Sequence, residues 1–410
     1  MTRLQRHLIE LATRDRAVAQ WVEHVQGARG TPEPIALRSL EGSAVALALI
    51  AVAEITRRSI VIVAPSNEAA EEMHDDLQHF GWPRLGVFPA WEILPYEREE
   101  PVLEITAKRL DAYAMWLTDQ AVDRDGLGVP TPGPSRSIVV VTADALMQRV
   151  PPPDRLSSRR LVIRWGEPLD PERLARDLVE SGYTRLPLVE SRGEFSVRGN
   201  IIDIFPPTSP LPIRLDLWGE EIESIRFFDP VTQRSRSDQP EAEQIVLEPA
   251  HETTLMHGGG LVPLSDWFPS DALIHFHRAD RMGEHAQQFA ELIERQFNDA
   301  MRRALREEWD PEDRPPAPDE LYLTRWRQVV DRLGDHPISI HTTLPTPWCV
   351  PPRDITFTTT AFESIKPDLD TYIESIRTRR REGALVVIAC DNNGQVMRLV
   401  ELLRAADLDT

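Results

Sequence analysis

The stretch RGEFSVRGNIIDIFPPTSP (192–210) sets two arginines and two glycines into a β-strand pattern. Phe195 and Val197 alternate with polar residues, which is the period of a strand with one buried face. The segment NIIDIF continues the pattern with β-branched residues until two prolines end it. We therefore expect one strand over 194–205, with Gly199 marking a bulge or a close backbone approach.

More strands are predicted on both sides of this stretch. RLVIRW (160–165) has the composition of a strand, and LPIRLDLWGEEIESIRFFD (211–229) is typical of a hairpin that turns at Gly219-Glu220. One helix is expected at 171–180. The segment therefore predicts a small α+β domain over residues 154–250, inserted into a domain of a different kind.

The surrounding residues alternate between helices and short apolar strands. Predicted strands are SIVIVA (59–64), LGVFP (85–89), SIVVVTA (137–143) and ALIHFH (272–277), and the first helix is expected at 4–25. This alternation predicts an α/β domain with a parallel, helix-covered sheet, formed by residues 1–153 and 251–358.

Residues 359–410 contain a predicted strand, ALVVIACD (384–391), between two helices. One such unit cannot cover both faces of a strand. We therefore expect the start of a further α/β domain, apparently truncated.

Composition narrows the class of protein. With 46 basic and 66 acidic residues, the 410-residue chain has a net charge of -20, which argues against non-specific nucleic-acid binding by its whole surface. Cys349 and Cys390 are too few for a disulfide framework or a zinc site, so we expect buried thiols. The N-terminus is not a signal peptide, and the longest apolar run is too short to span a bilayer. These features predict a cytoplasmic protein without membrane partners.

LRSLEGSAVALAL (37–49) stands where a nucleotide-binding domain places its phosphate loop. That loop needs a lysine for the phosphates and a hydroxyl for magnesium. Aligned on Gly42, these two positions hold Val45 and Ala46. Gly42-Ser43 is expected only to begin a helix. We predict a degenerate loop that binds no nucleotide, and no cofactor in this chain.

Arginines are dense between residues 155 and 198, and many alternate with acidic residues in a pattern typical of a solvated face. Arg198 differs because Gly199 follows it. Arg214 and Asp216 alternate with apolar residues, so both should lie on the outer face of one strand. Such a face suits a charge-complementary protein interface, and no nucleophile or base lies beside it for catalysis.

Two histidine motifs carry weaker hypotheses. His275 and His277 should lie on one side of a strand, where they would form half of a metal site, but no further ligand spacing accompanies them. HGGG (257–260) lacks the nucleophile motif that an oxyanion hole would accompany, which favours a loop. We predict no metal site.

Several of these segments together resemble one family. ESRGEFSVRGNIIDIFPPTSPLPIRLDLWGEEIESIRFFDPVTQRS (190–235), VFPAWEILPYEREEPVLEITAKRLDA (87–112) and LEGSAVALAL (40–49) resemble the bacterial transcription-repair coupling factors (Mfd). The first segment resembles the excision-repair subunit UvrB more distantly. A weaker likeness extends to the region after residue 360.

The resemblance implies a UvrB-like module that has lost nucleotide binding and binds UvrA through its inserted domain. It also implies that downstream domains, absent from this sequence, bind RNA polymerase and double-stranded DNA, and that a downstream motor uses ATP and magnesium. The family's activity is ATP-dependent translocation that removes polymerase stalled at a lesion.

The same resemblance implies the residues that contact UvrA. Matched positions are Arg185, Arg198, Arg214 and Asp216, and Arg192 from the opening stretch is added to them. UvrB tends to carry one more arginine where this chain has Ser196, which is a departure from the pattern.

Two alternatives stay open from the sequence. The chain would be an ATP-dependent, helicase-like enzyme if its loop region bound nucleotide, which Val45 and Ala46 disfavour. It would be a stand-alone regulator that competes for UvrA if no further domains accompanied it.

Overall fold

Seven parallel strands form the larger of two main sheets in the computed structural model, which describes residues 1–27, 33–93, 96–97, 99–124, 136–256, 259–310, 314–359, 369–388, 392–406 and 408. These strands are β1 (Ile35–Arg38), β2 (Ile60–Ala64), β3 (Leu85–Phe88), β4 (Ile138–Thr142), β14 (Leu273–Phe276), β15 (Ile338–His341) and β16 (Arg353–Thr356). Their order is β16-β1-β15-β14-β2-β4-β3. Because β2 and β4 are apolar and buried throughout, helices must cover both faces. The predicted parallel α/β sheet is confirmed.

Helices pack on both faces of this sheet. They are α1 (Arg3–Thr13), α2 (Arg16–Gly27), α3 (Ala44–Thr56), α4 (Asn67–His79), α5 (Leu103–Arg124), α6 (Ala143–Met147), α7 (Pro153–Arg159), α9 (Met282–Arg306), α10 (Pro318–Leu321) and α11 (Trp326–Arg332). Helices α1 to α4 enclose one core with Trp21 at its centre, and the other face has a core around Trp116 and Trp267. In the described residues, no helix is both long enough and apolar enough to cross a membrane.

The prediction of a single N-terminal helix over 4–25 was wrong. Helix α1 ends at Thr13, and a second helix, α2, begins at Arg16. Asp15 causes the break, because its carboxylate accepts hydrogen bonds from the backbone N–H groups of Ala17 and Val18, at 2.8 and 3.2 Å. Such a side chain competes with the helical backbone and starts a new helix.

The smaller main sheet lies between the two halves of the larger one in sequence. It consists of β7 (Thr184–Arg185), β8 (Glu194–Arg198), β9 (Ile201–Ile204), β10 (Ile213–Trp218) and β11 (Glu221–Phe227), in the order β11-β10-β9-β8-β7. Helix α8 (Pro171–Glu180) packs on one side, here called the inner face. Short strand pairs flank the sheet: β6 (Leu161–Arg164) with β12 (Gln244–Leu247), and β5 (Arg149–Val150) with β13 (Val262–Pro263).

The opening stretch forms two strands, so the prediction of one strand over 194–205 was wrong. β8 and β9 are antiparallel neighbours, with Arg198 opposite Ile201. Gly199 and Asn200 make the two-residue turn, and Gly199 has a φ of +60°. Glycine adopts this left-handed conformation without steric cost, so here it reverses the chain instead of bulging a continuous strand. The hairpin predicted at Gly219-Glu220 is confirmed.

A buried ion pair fixes the point where the chain returns from the smaller sheet's domain to the α/β body. Glu252 follows the inserted segment, and Arg109 lies on α5; their side chains are 1% and 0% exposed. Arg109 donates hydrogen bonds to both carboxylate oxygens, and the Tyr113 hydroxyl donates another at 2.6 Å. The motif 87–112 therefore supplies part of this junction.

Residues Met1–Thr359 and Thr360–Thr410 form two compact units. The second contains α12 (Leu369–Arg381) and α13 (Asn393–Ala405), with Ile373, Ile376 and Leu403 in its core. Residues 384–388 form no strand in the described part of this unit, contrary to the prediction over 384–391. A strand needs a neighbour for its backbone groups, and apolar composition alone does not provide one. The domain boundaries drawn from the sequence stay predictions.

The two cysteines differ in what can be said of them. Cys349 is half-buried, and burial raises the pKa of its thiol. Cys390 and the first two residues of HGGG lie outside the described residues.

Candidate partner-binding face

The side of the smaller sheet that points away from α8, here called the outer face, carries two rows of polar residues. Strand register places Ser196, Asp203, Arg214 and Arg226 in one row across four strands, and Arg198, Ile201, Asp216 and Ser224 in the next. Apolar residues occupy the alternate positions and pack on the inner face with α8. The outer face is therefore built by strict alternation in β8, β9 and β10.

Asp203 lies at the centre of the first row and is fully buried. Its carboxylate accepts hydrogen bonds from Arg214 at 2.7 and 2.9 Å and another from Arg198. These bonds raise the pKa of Arg214 further above its ordinary value. The Arg214 guanidinium also lies 4.6 Å from the Phe228 ring centroid and donates to the Gln233 carbonyl at 3.2 Å. Arg214 therefore stabilises the outer face through its contacts with Asp203, Phe228 and Gln233.

Asp216 forms the second ionic centre of the face. It accepts hydrogen bonds from the Ser224 hydroxyl at 2.8 Å and from Arg226, whose Nε lies at 3.1 Å. Arg214 and Arg226 are direct cross-strand neighbours, an arrangement that is unfavourable for like charges. Asp203 and Asp216, each bound to one of them, offset that repulsion.

Exposure separates the arginines that support the face from those that a partner can reach. The side chains of Arg198 and Arg226 are 43% and 40% exposed, whereas that of Arg214 is 13% exposed. The carboxylates lie deeper, with Asp216 at 18% and Asp203 at 0%. The outer face therefore exposes the guanidinium groups of Arg198 and Arg226, and the carboxylates of Asp203 and Asp216 lie beneath them.

Arg226 was missed in the sequence because a β-bulge determines which way it faces. A plain two-residue hairpin that turns at Gly219-Glu220 would put Ile225 opposite Arg214. The register shifts between Asp216 and Leu217, which brings Arg226 opposite Arg214 instead. The spacing of Ile222, Ile225 and Phe227, three residues and then two, is the sequence signal of this shift.

Arg185, a predicted contact residue, lies elsewhere, and Ser196, at the departure from the UvrB pattern, lies in the first row. Arg185 is exposed on the edge strand β7 opposite Phe195, so it belongs to the inner side, where it lines a groove of about 520 Å³ with α8 residues such as Arg176 and Val179. Ser196 is buried and donates a hydrogen bond to the Pro187 carbonyl at 3.0 Å. Arg185 therefore does not lie among the arginines of the outer face, and Ser196 adds only a buried hydroxyl to the first row.

Arg192 belongs to the junction with the body. Its guanidinium lies 6.0 Å from the Phe205 ring centroid and is close enough to Asp111 on α5 to affect that carboxyl. Burial raises the pKa of Asp111 to about 6, and the charge of Arg192 opposes the rise. The structure thus brings together Arg198, Arg214 and Asp216 but not Arg185 or Arg192. The role of all five in binding a partner stays a prediction.

The predicted degenerate phosphate loop connects β1 to α3. Gly42 has a φ of +57°, and α3 begins at Ala44 without a side-chain cap from Ser43. Ser43 lies close enough to Asp76 to lower the pKa of that carboxyl, although burial is the larger effect and raises it. Val45 and Ala46 are buried in the core.

Three histidines occupy the neighbouring strand ends. His275 Nδ1 lies 3.0 Å from the Ser339 hydroxyl, and the Nδ1 atoms of His277 and His341 are 3.3 Å apart. Burial is the main cause that lowers the pKa of all three imidazoles, so neutral rings stand there at neutral pH. Within the part of the chain that the structure describes, no group of three or more histidine, cysteine or acidic residues is arranged to hold a metal ion.

Comparison with known proteins identifies the smaller domain. Residues 161–252 match the family described as the UvrB interaction domain. The transcription-repair-coupling factor of Escherichia coli is 33% identical over 216 residues, covering 53% of this chain and 17% of that protein. Its counterpart in Myxococcus xanthus is 34% identical over 225 residues, with the same two coverages. The Bacillus subtilis counterpart is 33% identical over 200 residues, covering 48% of this chain and 16% of the relative.

The matched relatives are thus much longer than this chain, which covers about a sixth of each. The match to the domain family contains the smaller sheet and the flanking pair β6–β12, but not β5–β13, and so contains the whole outer face. The chain therefore carries a UvrB interaction domain and is homologous to transcription-repair-coupling factors over about half of its length.

Proposed function

We propose that this chain is the UvrA-binding part of a transcription-repair coupling factor, and that it recruits UvrA to RNA polymerase stalled at DNA lesions. The observation that carries the proposal is the outer face of the UvrB interaction domain. There Arg198 and Arg226 are exposed over buried or half-buried carboxylates, in a chain whose net charge is -20. A cationic face on an acidic protein favours an acidic protein partner.

The relatives named as transcription-repair-coupling factors support the second half of the proposal. Contacts with RNA polymerase and double-stranded DNA, and the use of ATP and magnesium by a translocating motor, are assigned to domains outside these 410 residues. For residues 1–410 we propose no ATP hydrolysis, because Val45 and Ala46 provide neither a cation nor a hydroxyl for a nucleotide. Such a role would place the protein in the cytoplasm, beside the chromosome.

The test is a titration of the 410-residue chain with purified UvrA. Arg198→Ala should weaken binding by about 2 kcal/mol or more, because carboxylates on the partner would lose their cation in a desolvated interface. Arg214 still holds Asp203 through two hydrogen bonds in this variant, so the sheet should persist. Isothermal calorimetry gives the affinity, and circular dichroism checks the fold.

Arg302→Ala is the matched control, since it removes one equally charged side chain, paired with Asp299, from α9. It should leave the affinity unchanged. Equal affinities of the wild type and Arg198→Ala would refute the assignment of this arginine. No binding by the wild type would refute the proposed function.

A further inference from the structure

We infer that Trp218 is the apolar anchor of the outer face, inserted into a pocket of the protein that this face receives. The inference rests on the proposed function, because it extends the same binding face by one specific residue. Neither the arginine pattern nor the family match assigns a role to this side chain.

The fold places Trp218 next to the cationic rows. Arg214, Asp216 and Trp218 alternate along β10 with three buried apolar residues, so all three lie on the outer face. Asp216 stands opposite Ile201, and the turn at Gly199-Asn200 lies beside the end of β10. By ordinary strand spacing, Trp218 and Arg198 are within roughly 12 Å of each other.

Exposure of this side chain is unusual. Trp218 is 77% exposed, although tryptophan is among the residue types with most apolar area to bury. Trp165 is 61% exposed, but its indole N–H donates to the Glu223 carbonyl at 2.9 Å, which holds it on the edge of β11. Leu305, also exposed, lies on α9 of the α/β body, and isolated exposed apolar side chains are common on protein surfaces.

A tryptophan next to arginines is typical of an interface hot spot. Both residue types are enriched among the few side chains that carry most of a binding energy. Trp218 is also bracketed by acidic residues, with exposed Glu220 in the turn and exposed Glu221 directly opposite it. The partner should therefore offer carboxylates to Arg198 and Arg226, and an apolar pocket with a neutral or basic rim to the indole.

A protein fits this face better than a single-stranded nucleic acid does. Bases could stack on Trp218, but the phosphates next to them would meet Glu220 and Glu221. The arginines of the face are moreover bound to Asp203 and Asp216, which reduces the charge available to a phosphate backbone. A protein can match both signs of charge in one fixed register.

The experiment compares variants of the 410-residue chain in titrations with UvrA. Trp218→Ala should weaken binding by about 30-fold, the size typical of a hot-spot residue, and Trp218→Phe should recover most of that loss. Leu305→Ala, which truncates an exposed apolar residue away from the face, should bind like the wild type. Because Trp218 is exposed, all three variants should keep the thermal midpoint of the wild type.

The outcomes separate this inference from the proposed function. If Arg198→Ala weakens binding and Trp218→Ala does not, the anchor is refuted and the proposed function stands. If the wild type does not bind UvrA, both are refuted. Binding of a labelled single-stranded oligonucleotide that Trp218→Ala abolishes would overturn the assignment of a protein partner.

Discussion

Asp203 accepts hydrogen bonds from arginines on two neighbouring strands, and its side chain has no exposure to solvent. The sequence alone does not reveal this role, because NIIDIF is a short run with one acidic residue among mostly apolar ones. A carboxylate can be buried there only because two guanidinium groups compensate its charge. Asp203 thereby determines where Arg198 and Arg214 lie.

Asp203→Asn should therefore destabilise the smaller domain strongly. The amide keeps the shape of the side chain but leaves Arg214, which is 13% exposed, without its counter-charge. Breaking such a buried pair typically costs about 3–5 kcal/mol in the free energy of unfolding. Urea denaturation followed by circular dichroism measures the loss. Asp299→Asn, in the exposed pair with Arg302, should cost about 0–1 kcal/mol; equal losses in the two variants would contradict this account.

At the scale of elements, the β8–β9 hairpin decides which arginine a partner meets. Its turn places Arg198 opposite Ile201 and aligns Ser196 with Asp203. A one-residue slip would move Arg198 to the inner face, because side chains alternate along a strand. The turn at Gly199-Asn200 therefore determines the composition of the outer face.

Gly199→Ala should cost about 1–2 kcal/mol of unfolding free energy, because alanine is strained at a φ of +60°. Apart from Gly199 and its two chain neighbours, no atom lies within 4 Å of the position that a Cβ would occupy, so the cost comes from the local backbone conformation and not from a clash with the rest of the fold. Gly199→Asn should be clearly milder, since asparagine adopts the left-handed region more readily. Thermal and urea unfolding of both variants test the prediction. Losses of the same size for alanine and asparagine would indicate a different cause.

For the molecule as a whole, the carboxyl edge of the large parallel sheet is where α/β proteins bind ligands. Here that edge carries His275, His277 and His341, on strands that are far apart in sequence. Their imidazoles are buried, and the pKa of His277 is lowered to about 3. The three imidazoles at this edge are buried in their neutral form, so protonating them would destabilise the folded chain.

This arrangement predicts that the chain loses stability in mild acid. In the unfolded state each imidazole takes up a proton near pH 6.5, whereas the folded state resists protonation until a lower pH. The stabilisation is therefore complete above pH 6.5 and is lost as the pH falls toward about 3, with a slope of up to about 1.4 kcal/mol per pH unit for each proton. The carboxyls of Asp76, Asp111 and Glu248, whose pKa values are raised by burial, act in the opposite direction, whereas His336, whose pKa is lowered by burial, adds to the effect of the three imidazoles.

Unfolding free energies measured between pH 5 and pH 8 provide the test. The wild type should be clearly less stable at pH 5 than at pH 8. His277→Gln removes one of the three titrating rings, so its stability should depend less steeply on pH. Parallel profiles of the two proteins would show that His277 does not contribute.

The sequence by itself determined the two kinds of sheet, because hydrophobic periodicity reports burial directly: continuous apolar strands predict a parallel sheet covered on both faces, and alternating strands predict one exposed face. It also predicted, through Val45 and Ala46, that the loop after β1 binds no nucleotide. Arg214 and Asp216 were recognisable for the same reason, since both alternate with apolar neighbours, whereas Arg198 was distinguished by the glycine that follows it.

Only the tertiary structure decided what depends on register and on distant partners. The turn at Gly199, the bulge that brings Arg226 to the outer face, and the break at Asp15 each depend on single hydrogen bonds or backbone angles that periodicity does not encode. Arg185 and Arg192 were predicted to contact the same partner as Arg198 but lie against α8 and Asp111. A side chain's position is set by the elements that pack around it, and those come from distant parts of the chain.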